Sequence, residues 1–293
     1  MNDQRSEPHA RGATEPVRHE AATFPDGTDA QSLMTLCEEL ARAAGDHVRA
    51  RTGDHGGVAA TKSSVNDVVT AVDTEVETLL RERIAAARPD DGVLGEEDGV
   101  VAGTSGLTWV VDPIDGTVNF LYGIPSYAVS VAVVAGGADP LRWTVLAGCV
   151  HAVAGGTTWT AGLGRGAWRD GEPLTVRPAV PLGQALVGTG FGYTVAQRTR
   201  EAAVVARMLP QVRDIRRIGS AAIDLCLVAD GRLDAYYETG LNPWDMAAGS
   251  LVVTEAGGTM TGLGGAPASP AMTVAAAPAL AAELVAALEL VIA

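Results

Sequence analysis

From Ala30 to Arg51 the apolar residues Leu33, Leu36, Cys37, Leu40, Ala44 and Val48 recur at helical spacing, which predicts an amphipathic helix. A polar loop, Thr61 to Asp67, follows. Val69, Val72, Val76, Leu80 and Ile84 then mark the buried face of a second helix that carries Asp73 near its start. Pro89 and Gly92 break the chain, and the apolar pair Val93-Leu94 leads to Gly95-Glu96-Glu97. Trp109 to Asp112 reads as a buried strand that delivers a carboxylate to its C-terminal edge. If the two strand-like segments are neighbours, Glu96 and Asp112 come side by side. Tyr127 to Ala135 and Trp143 to Ala154 are further strands. Thr157 to Trp168 reads as a hairpin, a reading that a turn at Asp170-Gly171 fits.

Near Pro178 to Pro181 the pattern changes and strand and helix begin to alternate. Strands are predicted over Ala185–Phe191, Asp214–Ile218 and Leu233–Glu238, and helices over Gln197–Leu209 and Ser220–Ala229. Trp244-Asp245 starts another helix, which runs to about Ala256 and is closed by Gly257-Gly258. A last strand near Met272 to Ala275 precedes an Ala/Leu helix from Pro278, whose Glu283 and Glu289 make it a docking helix rather than a membrane anchor. Periodicity therefore gives a mixed α/β protein.

Residues 1 to 28 are polar and lack apolar periodicity, so they are expected to form a disordered tail. With no apolar leader there and no uninterrupted apolar run of membrane-spanning length, a cytoplasmic protein is expected. Cys37, Cys149 and Cys226 are far apart and lack metal-ligand spacing, so they read as reduced, mostly buried thiols. A formal charge of −14 argues against a nucleic-acid or membrane partner, and a phosphate ligand would need cations to invert the local field.

The stretch 109 to 120, WVVDPIDGTVNF, carries the chemistry: two acids three residues apart across a proline, then Gly116-Thr117 opening a short helix. Carboxylates on a rigid strand end suit a hard cation such as Mg²⁺, and helix-start N–H groups suit a phosphate. Simpler readings make Asp112 a turn residue, Asp115 a helix cap and Asp245 a helix-start acid favoured by the dipole. The three-residue spacing departs from the two-residue spacing of the haloacid dehalogenase signature, and an EF-hand would need oxygen ligands at alternate positions. The glycine-rich GLGRGAW lacks the following helix and the ribose-binding acid of a dinucleotide loop.

Together, GEE at 95 to 97, WVVDPIDGTVNF at 109 to 120, GSAAIDLCLVADGRLDAYYETGLNPWDMAAG at 219 to 249 and KSSVNDVVTAVD at 62 to 73 resemble the inositol monophosphatase family of Mg²⁺-dependent, lithium-sensitive phosphatases. The order and spacing of the blocks hold from about residue 30 to the C-terminus. The resemblance implies a layered αβαβα sandwich of the inositol monophosphatase / fructose-1,6-bisphosphatase type, commonly a homodimer. An N-terminal metal-binding half over 29–178 would be completed by a C-terminal half over 179–293. It further implies that Glu96, Asp112 and the Ile114 carbonyl hold one metal and that Asp112, Asp115 and Asp245 hold a second. Glu96 would also help to hold further metal or water, so two or three Mg²⁺ would bind, with Mn²⁺ a substitute. Thr117 with Asp73 would orient the attacking water. Gly116 and Thr117 would face the phosphate beside Asp115, with Ala221 and Glu238 touching a hydroxyl-bearing ring.

The substrate implied is a small phosphorylated polyol, myo-inositol monophosphate first. Histidinol phosphate, fructose 1,6-bisphosphate and 3′-phosphoadenosine 5′-phosphate are rivals within the family. Asn242-Pro243 and the Gly190-Phe191-Gly192-Tyr193 loop look bacterial rather than animal, and both bear on specificity. A non-catalytic metal-binding regulatory module is the alternative of another class, and it would be expected to have lost ligands.

Overall fold

The computed structural model describes residues 28–52, 60–61 and 68–292. The tail expected to be disordered lies, except for Thr28, outside the described residues, as does most of the Thr61–Asp67 loop. The first part of the chain forms α1 (Ala30–Ala50), β1 (Ala60–Thr61), β2 (Val68–Val69), α2 (Ala71–Ala87), β3 (Gly92–Gly95), β4 (Gly99–Val101) and β5 (Leu107–Asp115). Next come α3 (Thr117–Leu121), β6 (Ala128–Ala135), β7 (Thr144–Ala152), β8 (Thr157–Gly162), β9 (Gly166–Arg169) and β10 (Glu172–Pro173). The remainder forms β11 (Leu186–Thr189), α4 (Val195–Met208), β12 (Asp214–Arg216), α5 (Ala221–Ala229) and β13 (Ala235–Glu238). Last are α6 (Pro243–Glu255), β14 (Thr259–Thr261), β15 (Thr273–Ala276) and α7 (Pro278–Ile292).

Side chains on a strand alternate between faces, and in β6 both faces are apolar. Val129, Val131 and Val133 enter one core with α1 and α2, whereas Ala128, Ala132 and Val134 enter another with α5 and α6. The strand therefore lies in a sheet covered on both sides, with eight strands in the order β10-β9-β8-β7-β6-β5-β3-β4. A five-stranded sheet, β12-β11-β13-β15-β14, closes over α5 and α6 and carries α4 and α7 on its far face. Three cores between five layers give the αβαβα sandwich.

The middle layer is thin because its contacts are small. A Cβ on Gly148 of β7 would stand 2.8 Å from the Ala248 Cα of α6, and one on Gly249 would stand 2.8 Å from Leu225 Cβ of α5. Helix α6 has apolar residues around its circumference, as a helix packed on several sides must. Its C-terminus is closed by Gly257 at φ 88°, where the N–H groups of Gly257 and Gly258 return to Thr254 and Val253 at 3.0 and 2.9 Å.

Several elements differ from the pattern-based reading. Val69 belongs to β2 and not to the second helix, which Thr70 caps. Strands β4 and β14 have three residues each, too few for alternation to register. Strand β5 does not end at Asp112 but continues, buried throughout, to Asp115. All three cysteines are free and buried. In α7, Glu283 and Glu289 accept the backbone N–H groups of Leu182 and Gly264 at 3.0 and 2.7 Å, which docks the helix.

Helix α1 meets β7 at Gly45, where a Cβ would lie 2.4 Å from His151 Cδ2. Gly45→Ala should therefore cost about 1–3 kcal/mol in urea unfolding, since the backbone or the imidazole must move; unchanged stability would refute that packing. Burial, then Arg42 and Arg49, hold the His151 pKa down to about 4 from 6.5. Between those values the unfolded chain takes up a proton that the fold refuses, so His151 makes stability fall as pH drops from 6.5 toward 4. A stability–pH profile should lose that component of its slope in His151→Gln.

Candidate active site

Three carboxylates meet where β5 ends: ligand oxygens of Asp112, Asp115 and Asp245 lie within 4.8 Å of one another. Pro113 offers no N–H to the ladder, and the pairing of β5 with β6 shifts register between Asp112 and Asp115. That bulge brings both acids of one strand to the same spot. It also presents the Ile114 carbonyl, which accepts the Thr117 hydroxyl at 3.0 Å.

The other acids are held by helix N-termini. Asp115 Oδ2 accepts the Ser220 hydroxyl at 2.6 Å and the Ala222 N–H at 2.7 Å, at the start of α5. Asp245 Oδ2 accepts the Asn242 N–H at 2.6 Å, at the start of α6. Asp73 Oδ2 accepts the N–H of Thr70 at 2.9 Å and its hydroxyl, at the start of α2, while Oδ1 accepts the Thr117 hydroxyl at 3.2 Å. Asp115 does not cap the helix that follows it, since the N-cap of α3 is Gly116 with no side-chain hydrogen bond; it serves the start of α5 instead. For Asp73 and Asp245 the helix-start role and the site role are not alternatives, because one oxygen serves the helix and the other is left over.

Glu96 follows β3, which pairs in parallel with β5 so that Gly95 stands opposite Val111. Glu96 consequently comes near enough to Asp112 to raise its pKa, although it lies outside the set of three mutually close acids. Its loop is fixed by Glu77, a fully buried acid of α2 that accepts the N–H groups of Glu97 and Asp98 at 2.8 and 2.9 Å and pairs with Arg81 at 2.8 Å. A Cβ at residue 95 would lie 2.2 Å from Glu77 Oε1, so only glycine fits there.

Burial, then repulsion from Glu96, Asp115 and Asp245, pushes the Asp112 pKa far above the carboxylate range. Burial, then Asp115 and Glu96, does the same to Asp245. Asp115 is raised by burial against the hydrogen bonds of Ser220, Ala222 and Ala221 and the charge of Arg217. Asp73 is pushed up to about 6, chiefly by burial. Buried acids this close destabilise one another unless a cation or a proton intervenes. Asp112 Oδ1 is buried without a hydrogen-bond partner, and every donor in the set is oxygen. Both features fit a hard divalent cation.

The acids open onto a cleft of about 440 Å³ whose walls include Glu96, Asp115, Gly116, Ala221, Glu238 and Asp245. Gly116 has φ 94°, and a Cβ there would stand 3.0 Å from the carbonyl oxygens of Gly219 and Ser126. Asn119 Nδ2 ties the same two loops, donating to the carbonyls of Ser126 at 2.7 Å and Ile218 at 3.0 Å. Glu238, at the end of β13, has a pKa raised to about 7 by burial, against the opposing hydrogen bond from Tyr236. Asp73, Thr117 and the Ile114 carbonyl are thus joined by hydrogen bonds beside the acid cluster, Ala221 lies against Asp115 at the start of α5, and Glu238 lines the cleft from β13.

Residues 29–293 match the inositol monophosphatase family. The chain belongs to that family. The inositol-1-monophosphatase SuhB of Mycobacterium tuberculosis (strain ATCC 25618 / H37Rv) is 46% identical over 286 residues, covering 91% of this chain and 96% of that protein. The solved structure of Mycobacterium tuberculosis SuhB superposes with a TM-score of 0.74 over 89% of this chain and 97% of that one. A relative named Nus factor SuhB, from Escherichia coli (strain K12), is 35% identical over 238 residues, 78% of this chain and 84% of its own. The αβαβα sandwich is the fold of these solved relatives.

In this family member the pattern-based reading passed over four residues that the site uses. Glu77 was hidden on the apolar face of α2, where only its spacing to Arg81 marked it. Ser220 carried a helix-cap signal without showing that its hydroxyl would serve Asp115. Asp224 and Arg217 line the cleft, and nothing local distinguishes them from surface charges.

The charge arrangement yields a test. Mg²⁺ should raise the melting temperature, by the equivalent of about 2.7 kcal/mol at a hundredfold excess over Kd. Asp112→Asn should melt higher than the parent in chelator, since the fold no longer has to bury that carboxylate or hold a proton on it, and should lose most of the Mg²⁺-induced rise. A full Mg²⁺ shift in that variant, read by calorimetry, would remove Asp112 from the metal site.

Proposed function

We propose that the protein is a Mg²⁺-dependent phosphomonoesterase that hydrolyses myo-inositol monophosphates to inositol and phosphate. The observation that carries the reading is the convergence of Asp112, Asp115 and Asp245, with the buried unpartnered Asp112 Oδ1, beside the Thr117–Asp73 hydroxyl–carboxylate pair. Relatives at 46% identity over most of the chain are named inositol-1-monophosphatase, which supports the same activity here. On this reading Glu96, Asp112 and the Ile114 carbonyl hold one Mg²⁺ and Asp112, Asp115 and Asp245 a second. Glu96 helps to hold a third or a water, and Mn²⁺ can substitute. When bound, the cations acidify water, offset negative charge on the phosphate and steady the leaving alkoxide.

The protein's own groups do the rest. Thr117, itself hydrogen-bonded to Asp73 Oδ1, orients the attacking water, and the Asp73 carboxylate draws its proton through that hydroxyl. The backbone N–H groups of Gly116 and Thr117 face the phosphate, while Ala221 and Glu238 meet the ring. The halves 29–178 and 179–293 both contribute, since Asp245 and Glu238 come from the second. No described helix is long and apolar enough to cross a membrane, and the charge of −14 disfavours anionic polymers; from its family resemblance we read the protein as a cytoplasmic homodimer inhibited by Li⁺.

Specificity is the finer part of the proposal. With saturating Mg²⁺, kcat/KM should be highest for inositol 1-phosphate among that ester, histidinol phosphate, fructose 1,6-bisphosphate and 3′-phosphoadenosine 5′-phosphate. Preference for another member would overturn the substrate assignment, and no hydrolysis of any would favour a regulatory module. Glu238→Gln should lower inositol 1-phosphate hydrolysis by roughly one to two orders of magnitude and leave p-nitrophenyl phosphate, which has no ring hydroxyls, nearly unchanged. An equal fall on both substrates would place Glu238 in the metal site or the fold.

A further inference from the structure

Glu238 is not a free surface acid. Tyr236 lies two residues before it on β13 and so faces the same side of the sheet. The tyrosine is fully buried, and its hydroxyl donates to Glu238 Oε2. Across the sheet edge, a Cβ on Gly190 would fall 1.8 Å from that same oxygen, so the glycine vacates the space that the carboxylate fills. Neighbouring charges act on Glu238 in opposed directions: Arg217 attracts it, whereas Asp115 and Glu201 repel it. Arg217 itself stands with its guanidinium carbon 5.7 Å from the centre of the Phe191 ring. The neutral hydroxyl of Tyr236 is thus the directional contact in an otherwise ionic surrounding.

We propose that Tyr236 is a positioning residue for substrate specificity: its hydroxyl anchors Glu238 Oε2, which leaves Oε1 to accept a hydrogen bond from a polyol hydroxyl in the cleft. This rests on the reading of Glu238 as the hydroxyl acceptor. A hydrogen bond to a ring hydroxyl requires the oxygen to be held within a few tenths of an ångström and at a favourable angle. A glutamate with several rotatable bonds reaches that geometry only if something fixes it. Tyr236 supplies that fixing from inside the core, where its own ring cannot move, and Gly190 makes room for it. Neither Tyr236 nor Gly190 is among the proposed metal ligands, so the effect is confined to substrates whose ring carries hydroxyls.

The test compares the parent, Glu238→Gln, Tyr236→Phe and the double variant as Mg²⁺-loaded full chains, on inositol 1-phosphate and p-nitrophenyl phosphate. Tyr236→Phe keeps the ring and removes only the hydroxyl. It should raise KM for inositol 1-phosphate about tenfold, leave kcat and p-nitrophenyl phosphate hydrolysis within about twofold, and add little in the double variant beyond Glu238→Gln alone. If Glu238→Gln discriminates between the substrates but Tyr236→Phe does not, the inference about Tyr236 is overturned while the role of Glu238 stands. If Glu238→Gln itself does not discriminate, the underlying reading falls and takes the inference with it. Should Tyr236→Phe fail to fold, Gly190→Ala, which displaces the carboxylate from the other side, must give the same substrate-selective rise in KM; an equal loss on both substrates would overturn the proposal.

Discussion

Each of three acids, Asp73, Asp115 and Asp245, gives one carboxylate oxygen to the N-terminus of a helix; oxygens of Asp115 and Asp245 converge with one of Asp112, and Asp73 Oδ1 accepts the Thr117 hydroxyl. The helix starts of α2, α5 and α6 supply oriented N–H groups that compensate, in part, for placing negative charge where water is scarce. Asp112 has no such support: one of its oxygens is buried without a partner, and it is the acid on which the charges of Glu96, Asp115 and Asp245 converge. Much of the fold can be understood as the apparatus that brings those helix starts to a single strand end.

The layering follows from this. Helix α2 approaches β5 from one face of the eight-stranded sheet, whereas α5 and α6 approach from the other. Strand β5 must therefore be buried on both sides, and the bulge across Pro113 turns Asp112 and Asp115 toward the same spot despite an odd spacing that strict alternation would place on opposite faces. Glycines at 148 and 249 let the middle helices come close, and Gly95 admits the Glu77 carboxylate that shapes the Glu96 loop. A larger residue at any of these points would act on the site through distance rather than through chemistry.

The second sheet supplies the other wall of the cleft. Its contribution is a carboxylate, Glu238, fixed from within the core by Tyr236 and accommodated by Gly190. The structure thus separates two tasks. On the proposed function, strand β5 and the three helix starts gather charge for cations and phosphate, and β13 presents the group proposed to distinguish one alcohol from another. Phe191, Arg217 and Asn242 line the same cleft as Glu238.

Read along the chain, the sequence by itself determined the helices, most strands and the acids that matter, because apolar periodicity and the WVVDPIDGT, GEE and PWD blocks are local signals. It also placed Glu96 beside Asp112 on the expectation that their two strand-like segments are neighbours, and β3 does pair with β5 although β4 lies between them in the chain. Other features were out of reach: the continuation of β5 through Asp115, the three-residue strands β4 and β14, and the partners of the carboxylates. A register shift, an edge strand and a hydrogen bond between residues 105 positions apart, as between Ser220 and Asp115, are set by packing between layers and leave no periodic trace. The tertiary structure alone decided which helix start each of Asp73, Asp115 and Asp245 serves, and Asp115 serves α5 rather than the α3 that follows it in sequence. Sequence can assign a carboxylate to a helix start, but only the packed layers determine where its second oxygen points.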